Sequence, residues 1–155
     1  MRVSDTKQMP LHSSTQEAGP LMLQAFAWDM TPDASHWRYL AQHAQAIADL
    51  GVTIIWLPPA YKGNFGLDDV GYGVYDLYDL GEFDQKGTIP TKYGTKDEYL
   101  AAIDALHEAG IAVCADIVLN HRMGADATET VRATPINPQD RHHARLIFCI
   151  FSRDG

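Results

Sequence analysis

The sequence has few cysteines, no long apolar run and little positive charge, and each shortage excludes a class of protein. Two cysteines, Cys114 and Cys149, are too few for the disulfide framework of a small secreted protein. No apolar run reaches the length of a membrane-spanning helix. Twelve Lys and Arg against twenty Asp and Glu give a net charge of −8, which disfavours nucleic acid and anionic membranes as partners.

The first twenty residues lack the apolar core of a signal peptide. Residues 1–20 are polar and mixed in charge, and they contain Pro10, Gly19 and Pro20 without any periodicity, so we expect a flexible lead-in. A soluble, cytoplasmic protein is therefore expected. The apolar share of 46% over 155 residues is typical of one globular domain rather than of a disordered chain.

Three short apolar runs have the length of strands, and the composition of the second and third is that of buried parallel strands. They occupy residues 21–28, 52–57 and 111–115. The second and third runs follow Gly51 and Gly110, each placed where a preceding helix would end in a left-handed cap. Cys114, inside the third run, is expected to be a small buried thiol.

Two stretches between these runs have the periodicity of amphipathic helices. Apolar residues from Trp37 to Ala48 recur at helical spacing. Thr95 and Glu98 form the sequence pattern of a capping box, and they predict the start of a second helix that ends before Gly110. Alternation of strand and helix over five elements predicts a parallel α/β sheet with right-handed crossovers, either doubly wound or a barrel.

Polar residues gather where the third apolar run ends. Asp116, Asn120 and His121 follow it closely. Because the carboxyl ends of parallel strands face the ligand in α/β folds, a carboxylate, a carboxamide and an imidazole there form a candidate site. The alternative is that Asp116 and His121 only cap neighbouring backbone groups, and spacing alone does not separate the two interpretations.

The connection from Tyr61 to Gly94 is much longer than such units normally need. Aromatic and acidic residues alternate along it: Tyr61, Phe65, Tyr72, Tyr75, Tyr78, Phe83 and Tyr93, with Asp68, Asp69, Asp76, Asp79, Glu82 and Asp84. Aromatic faces beside carboxylates suit sugar rings, which offer an apolar face and many hydroxyl groups. The alternative is a small satellite core beneath a loop, with solvated acids outside.

Five segments, taken in order, resemble the start of an alpha-amylase. They are Trp56-Leu-Pro-Pro-Ala-Tyr-Lys62, residues 70–83 (Val-Gly-Tyr-Gly-Val-Tyr-Asp-Leu-Tyr-Asp-Leu-Gly-Glu-Phe), Thr91-Lys-Tyr-Gly-Thr95, Asp116-Ile-Val-Leu-Asn-His121 and Gly124-Ala-Asp-Ala-Thr-Glu129. The resemblance is to the bacterial liquefying type within the alpha-amylase family of glycoside hydrolases. It covers roughly residues 21–141.

This resemblance implies a partial (β/α)8 TIM barrel, made of its first three strands and two helices. Residues 1–20 would be the lead-in, and residues 21–121 the N-terminal part of the catalytic barrel. Residues 122–141 would start domain B, which the family inserts after the third strand. Residues 142–155 depart from the family pattern.

The resemblance also implies roles for five residues. His121 would hydrogen-bond the sugar next to the scissile bond, and Tyr72 would stack on the same sugar. Trp28 would line the cleft, with a place in the core as the alternative, and Asp116 would organise the site. Asn120 would be a ligand of a structural calcium ion. Because calcium takes about six to eight oxygen ligands, we expect weak or no binding by this chain.

The catalytic carboxylates implied by the resemblance are missing. Retaining hydrolysis needs a nucleophile and an acid/base carboxyl group. The family takes them, with a third supporting aspartate, from the fourth, fifth and seventh strands. Neither Asp116, Asp126, Glu129 nor any loop acid matches these positions.

The expected function is therefore that of an alpha-amylase, the endo-hydrolysis of alpha-1,4-glucosidic bonds in starch-like or glycogen-like glucans with retention. The partner would be an alpha-glucan polysaccharide or oligosaccharide, and the chain as given would be a truncated, inactive fragment. One alternative is a related alpha-glucan hydrolase or glycosyltransferase. Another is a non-catalytic glucan-binding fragment that uses the tyrosine-rich loop.

The segment from residue 142 to residue 155 does not align with the family. A frameshifted or truncated reading frame would explain it, and a genuine extra strand is the alternative. Its apolar part, Leu146 to Phe151, is β-prone and is an aggregation hazard if nothing covers it. Because three barrel strands leave open edges, we expect the isolated chain to be partly folded or self-associated.

Overall fold

A computed structural model describes residues 19–124, 127–133 and 147–153. The predictions made for residues 1–18, for Asp126, for residues 134–146 and for residues 154–155 lie outside the described residues. Within the described ranges, no helix combines the length and the apolar content needed to cross a membrane.

Three parallel strands form the main sheet. They are β1 (Met22–Gln24), β2 (Ile54–Leu57) and β5 (Ala112–Ala115), and β2 lies in the middle. Ile55 of β2 pairs with Leu23 on one side and with Val113 on the other. Helix α1 (His36–Asp49) lies between β1 and β2 along the chain, and helix α2 (Lys96–Glu108) precedes β5. The predicted parallel α/β alternation is confirmed.

Helix α1 ends and helix α2 begins where local chemistry predicts. Gly51 follows α1 with a φ of +87° and donates its N–H to the carbonyl of Ala48 at 2.8 Å, as a left-handed helix cap requires. At the start of α2, Thr95 accepts from the Glu98 N–H through its hydroxyl. The Glu98 carboxylate accepts the Thr95 N–H in return, at 2.9 Å. The capping box read from the sequence is present.

The main core lies where the two helices meet the sheet. Its most buried members come from α1, β2, the loop before α2, α2 itself and the residue before β5: Trp37, Ile55, Leu57, Tyr93, Ala102, Leu106 and Ile111. The aromatic rings of Trp37 and Tyr99 meet at 4.8 Å between centroids, which joins α1 to α2. Burial of this apolar face is what fixes both helices on the sheet.

The third strand is less buried than expected. Cys114 is exposed, so the prediction of a buried thiol is wrong. Beyond the strand, Ile117 is 61% exposed and Leu119 is 79% exposed. β5 pairs only with β2 among the described strands, and successive side chains of a strand point to opposite faces. Because Val113 packs against the core, Cys114 points to the face turned away from the helices, which meets solvent.

The long connection contains a small hairpin and a fully buried ion pair. Strands β3 (Lys62–Gly63) and β4 (Val74–Asp76) pair antiparallel, and a short 3₁₀ turn, Gly66–Asp68, lies between them. Lys62 Nζ lies 3.4 Å from Asp79 Oδ2, with both side chains fully buried. Lys62 Nζ also donates to the carbonyls of Phe83, Thr88 and Ile89. Asp79 Oδ1 accepts the N–H groups of Gly81, Glu82 and Phe83.

The last two strands form a separate antiparallel pair. Strand β6 (Ala127–Ala133) pairs with β7 (Ile147–Arg153), in a register that places Ala127 opposite Arg153 and Ala133 opposite Ile147. Strand β7 falls in the segment for which the sequence allowed an extra strand as the alternative to a frameshift. The domain boundary proposed at residue 122 stays a prediction.

Candidate functional site

Asp116 lies immediately beyond the carboxyl end of β5 and joins three segments of the chain. Its backbone N–H donates to the carbonyl of Leu57 at 3.2 Å, which extends the pairing with β2 by one residue. Its Oδ2 atom accepts the Tyr72 hydroxyl at 2.8 Å and the Trp56 indole N–H at 3.2 Å. A carboxylate that holds two aromatic side chains fits an organising role for Asp116, which stays a prediction.

Tyr72 is held in its protonated form by this environment. Burial, the hydrogen bond to Asp116 and the charge of Asp116 raise the pKa of the Tyr72 hydroxyl to about 12. Each of these effects disfavours a second negative charge beside the carboxylate. At neutral pH Tyr72 therefore donates to Asp116 through its hydroxyl and presents an uncharged ring.

Trp28 stacks on that ring. The two ring planes are 6° from parallel, with centroids 5.8 Å apart. Trp28 is 69% exposed, so the alternative that it belongs to the core is wrong. Trp28 and Tyr72 thus form a stacked aromatic surface on which Trp28 is mostly exposed, and exposed aromatic rings suit the apolar face of a ring-shaped ligand.

His121 and Asn120 are both exposed and contact each other. His121 Nε2 lies 2.9 Å from the carbonyl oxygen of Tyr72, and His121 Nδ1 lies 3.3 Å from Asn120 Nδ2. Because a carbonyl only accepts and an amide NH₂ only donates, the tautomer with the proton on Nε2 satisfies both contacts. One of these two contacts has to break before a ring nitrogen of His121 can form a hydrogen bond with a ligand.

A cavity of about 410 Å³ lies over these side chains. Its lining includes Trp28, Phe65, Asp68, Tyr72, His121 and Met123. Three of the five site residues inferred from the sequence therefore share one cavity. Asp116 contacts the cavity through Tyr72, whereas Asn120 lies outside the lining. The volume falls within the usual range for ligand pockets, about 300–1,000 Å³.

Asp69 was named in the sequence only as one of the acids of the long connection, and its specific role was not predicted. Its carboxylate is buried and accepts three backbone N–H groups, those of Phe65 at 3.2 Å, Gly71 at 2.8 Å and Gly73 at 3.1 Å. A Cβ atom at Gly73 would lie only 2.2 Å from Asp69 Oδ2, so this close approach needs glycine. An aspartate two and four residues before glycines is a turn signal that could have indicated it.

Trp56 is a site residue that the sequence did not indicate. Its indole N–H reaches Asp116 across sixty positions of sequence. The rings of Trp56 and Phe26 pack edge to face, with centroids 5.6 Å apart and planes at 87°. The register of β1, β2 and β5 brings these positions together, and no local pattern predicts such a contact.

The tyrosine-rich loop divides into structural and exposed aromatic residues. Tyr61 and Tyr93 are buried, and each hydroxyl bonds the backbone: Tyr61 accepts the Val118 N–H at 2.8 Å, and Tyr93 donates to the Val70 carbonyl at 2.9 Å. Burial raises the pKa of both hydroxyls. Tyr61 is thus buried beneath the loop, as the satellite-core alternative has it, whereas Tyr93 belongs to the main core and Phe65, at 63% exposure, belongs to neither.

Calcium binding at Asn120 has little support from its neighbours. The described residues contain no group of three or more His, Cys, Asp or Glu side chains placed to hold a metal ion. The Asn120 amide nitrogen is paired with His121. One carboxamide oxygen does not fit an ion that takes about six to eight oxygen ligands. A calcium site that includes Asn120 stays a prediction.

Comparisons with known proteins agree on one family. A family profile described as the alpha-amylase catalytic domain matches residues 25–142. The alpha-amylase of Geobacillus stearothermophilus is 55% identical over 121 residues, which are 78% of this chain and 22% of that protein. The Escherichia coli K12 protein named cytoplasmic alpha-amylase is 53% identical over 122 residues, 79% of this chain and 25% of that protein.

Solved structures agree with the fold. A truncated alternansucrase from Leuconostoc mesenteroides matches 84% of this chain and 13% of its own, with a TM-score of 0.66 and 28% identity. Alternansucrase in complex with isomaltononaose matches 84% of this chain and 12% of its own, with a TM-score of 0.67 and 28% identity. The chain spans about a fifth to a quarter of the length of the alpha-amylases named above.

Proposed function

Because this chain belongs to the alpha-amylase catalytic-domain family, we propose that it is part of an enzyme that hydrolyses internal alpha-1,4-glucosidic bonds of starch-like or glycogen-like glucans. The reaction would retain the anomeric configuration and would serve carbohydrate metabolism. The family membership makes the three parallel strands the first part of a TIM barrel. Identities of 53% and 55% to alpha-amylases support the substrate class for the whole enzyme.

One observation carries the proposal for this chain: the Trp28–Tyr72 surface lies beside His121 in one cavity and rests on Asp116. A glucosyl ring has apolar C–H faces that can lie on aromatic rings, and its hydroxyl groups can bond an imidazole. The carboxyl ends of barrel strands are where such enzymes bind their substrates. We therefore assign glucan binding to this cavity.

Hydrolysis by these residues alone is not part of the proposal. Two carboxyl groups about 5–5.5 Å apart, both free to react, are needed for a retaining mechanism. Asp69 is occupied by three backbone N–H groups, and Asp116 by two aromatic side chains. We expect the 155-residue chain to bind glucan without cleaving it.

A related glucan-active enzyme is the second candidate. It is favoured by the structural match to alternansucrase, which was solved with isomaltononaose. It is also favoured by a trehalose synthase/amylase of Mycobacterium tuberculosis, 34% identical over 102 residues that are 65% of this chain and 15% of that protein. Higher affinity for isomaltooligosaccharides than for maltooligosaccharides would favour this candidate over an alpha-amylase.

Two finer features complete the proposal. A cytoplasmic location is supported by the name of the Escherichia coli relative, and separate assays of the cytosol and the culture medium would test it. A structural calcium ion with Asn120 among its ligands is proposed for the whole enzyme only, because the described neighbours of Asn120 supply too few oxygen ligands.

Binding is tested with maltoheptaose by isothermal titration calorimetry. Tyr72→Ala should lower the affinity of the chain for maltoheptaose at least about tenfold. It removes the stacking surface and also the hydrogen bond from the Tyr72 hydroxyl to Asp116. The matched control is Tyr39→Ala, since Tyr39 is 55% exposed on α1 and does not line the cavity. Equal affinities for the two variants would contradict the assignment of the cavity.

Hydrolysis is tested by reducing-sugar release from soluble starch, with calcium present. The chain and its His121→Ala variant should both release nothing above the buffer control. Release by the chain that His121→Ala abolishes would show that a catalytic pair exists among the acids present, and the proposal of binding without cleavage would then be wrong.

A further inference from the structure

Phe65 stands out because it is apolar, exposed and placed on the wall of the candidate glucan cavity. Its side chain is 63% exposed, and it shares the cavity with Trp28 at 69% and Met123 at 55% exposure. Single exposed apolar residues are common, but several around one concave site indicate a binding surface. We propose that Phe65 is a specificity-determining residue, which contacts a glucosyl unit adjacent to the one bound on Tyr72.

The backbone on which Phe65 stands is fixed by the carboxylate that also fixes Tyr72. Asp69 Oδ2 accepts the Phe65 N–H, while Asp69 Oδ1 accepts the N–H groups of Gly71 and Gly73, the two neighbours of Tyr72. Asp69 is only 6% exposed, so water competes little for these bonds. One buried group thus holds the backbone at Phe65 and the backbone on both sides of Tyr72 in fixed relative positions.

The turn after Phe65 is also held in place. Gly66 has a φ of +58°, and a Cβ atom there would lie 2.7 Å from the carbonyl oxygen of Lys86. The Phe65 carbonyl accepts the Asp68 N–H at 3.2 Å. A ligand that contacts Phe65 therefore does not have to order its loop first, which removes one of the ordinary entropic costs of binding.

The side chains that line the cavity limit the kinds of ligand that can bind there. A phenylalanine ring has no polar atom, so it favours a ligand that presents an apolar face there. Asp68 and Asp69 also line the cavity, and their charges disfavour an anionic ligand. A neutral chain of pyranose rings meets both conditions, since it carries no charge and its rings have apolar faces, and Tyr72 and Phe65 line the same cavity. This inference rests on the glucan binding proposed above.

The test compares one-ring and many-ring ligands on the full chain. Affinity for maltoheptaose is measured by calorimetry, and affinity for methyl alpha-glucoside by titration followed by NMR. Phe65→Ala should lower the maltoheptaose affinity about three- to tenfold, the usual range for loss of one aromatic contact. It should leave the methyl alpha-glucoside affinity within about twofold, because a single ring on Tyr72 does not need Phe65. Phe65→Trp should restore the maltoheptaose affinity.

The matched control is Phe83→Ala, which makes the same change at a side chain that is 51% exposed and does not line the cavity. It should bind both ligands as the unaltered chain does. Equal maltoheptaose affinity of the Phe65→Ala and Phe83→Ala variants would overturn the role of Phe65 while leaving glucan binding intact. Absence of saccharide binding by the unaltered chain would overturn the proposed function and this inference together.

Discussion

Replacement of Lys62 by methionine tests whether the buried ion pair holds the long connection. The change keeps an unbranched apolar side chain of similar length and removes the ammonium group. Asp79 would then be a fully buried carboxylate without its cation, and three backbone carbonyls would lose their shared donor. Removing one partner of a buried pair costs about 3–5 kcal/mol of the free energy of unfolding.

The exposed pair Lys96–Glu82 provides the matched control. Its nitrogen and oxygen are closer, at 2.7 Å against 3.4 Å in the buried pair, but its side chains are 38% and 32% exposed. Because solvent screens such a pair, Lys96→Met should cost only about 0.2–1 kcal/mol. The order of the two losses is therefore set by burial and not by distance.

Urea unfolding followed by tryptophan fluorescence measures both losses, because Trp37 is fully buried and reports on the core. With an m-value of about 2 kcal/mol/M, Lys62→Met should lower the midpoint by about 1.5–2.5 M. Asp79→Asn in the Lys62→Met background should recover about 1 kcal/mol or more, because it removes the unpaired charge and keeps the acceptor oxygen. A loss for Lys62→Met no larger than that for Lys96→Met would refute this account of the ion pair.

Four further outcomes are expected. Burial opposes ionisation of Glu98, but the Thr95 backbone N–H and the Arg38 guanidinium still hold the Glu98 pKa below its ordinary value. Glu98 therefore contributes stability above the unfolded carboxyl pKa of about 4.3, and loses it as the pH falls through the lower folded pKa. The Glu98→Gln variant should show a shallower fall in melting temperature over that acidic range. Asp116→Asn should lower the Tyr72 pKa from about 12 towards the ordinary value, as measured by phenolate absorbance in an alkaline titration, and an unchanged titration curve would contradict the contact. Calcium should raise the melting temperature of the isolated chain by less than about 1 °C and equally in the Asn120→Ala variant, whereas a larger shift lost on that substitution would demonstrate a site. Sedimentation should show self-association that increases with concentration, since β1 and β5 each leave one edge without a described partner, and a chain that stays monomeric at every concentration would contradict this.

The sequence predicted local structure wherever the deciding interactions join residues only a few positions apart. The Thr95–Glu98 capping box and the glycine that ends α1 involve only near neighbours, so the sequence determined both. The apolar stripe from Trp37 to Ala48 determined the buried face of α1 in the same way. The family motifs also pointed to Trp28, Tyr72 and His121, which line one cavity.

The tertiary structure decided the features that depend on distant parts of the chain. Asp116 Oδ2 accepts hydrogen bonds from residues 44 and 60 positions away. The parallel register of β2 with β5 brings Trp56 to it, and the path of the long connection brings Tyr72. Lys62 is fully buried although lysine usually faces water, because three carbonyls and Asp79 converge on it. Cys114 is exposed although its neighbours are apolar, because burial needs a covering layer and not only an apolar sequence. The sequence alone thus determined the elements and the candidate residues. Strand pairing and side-chain burial depend on contacts between residues that are far apart in the sequence, so only the fold determined them.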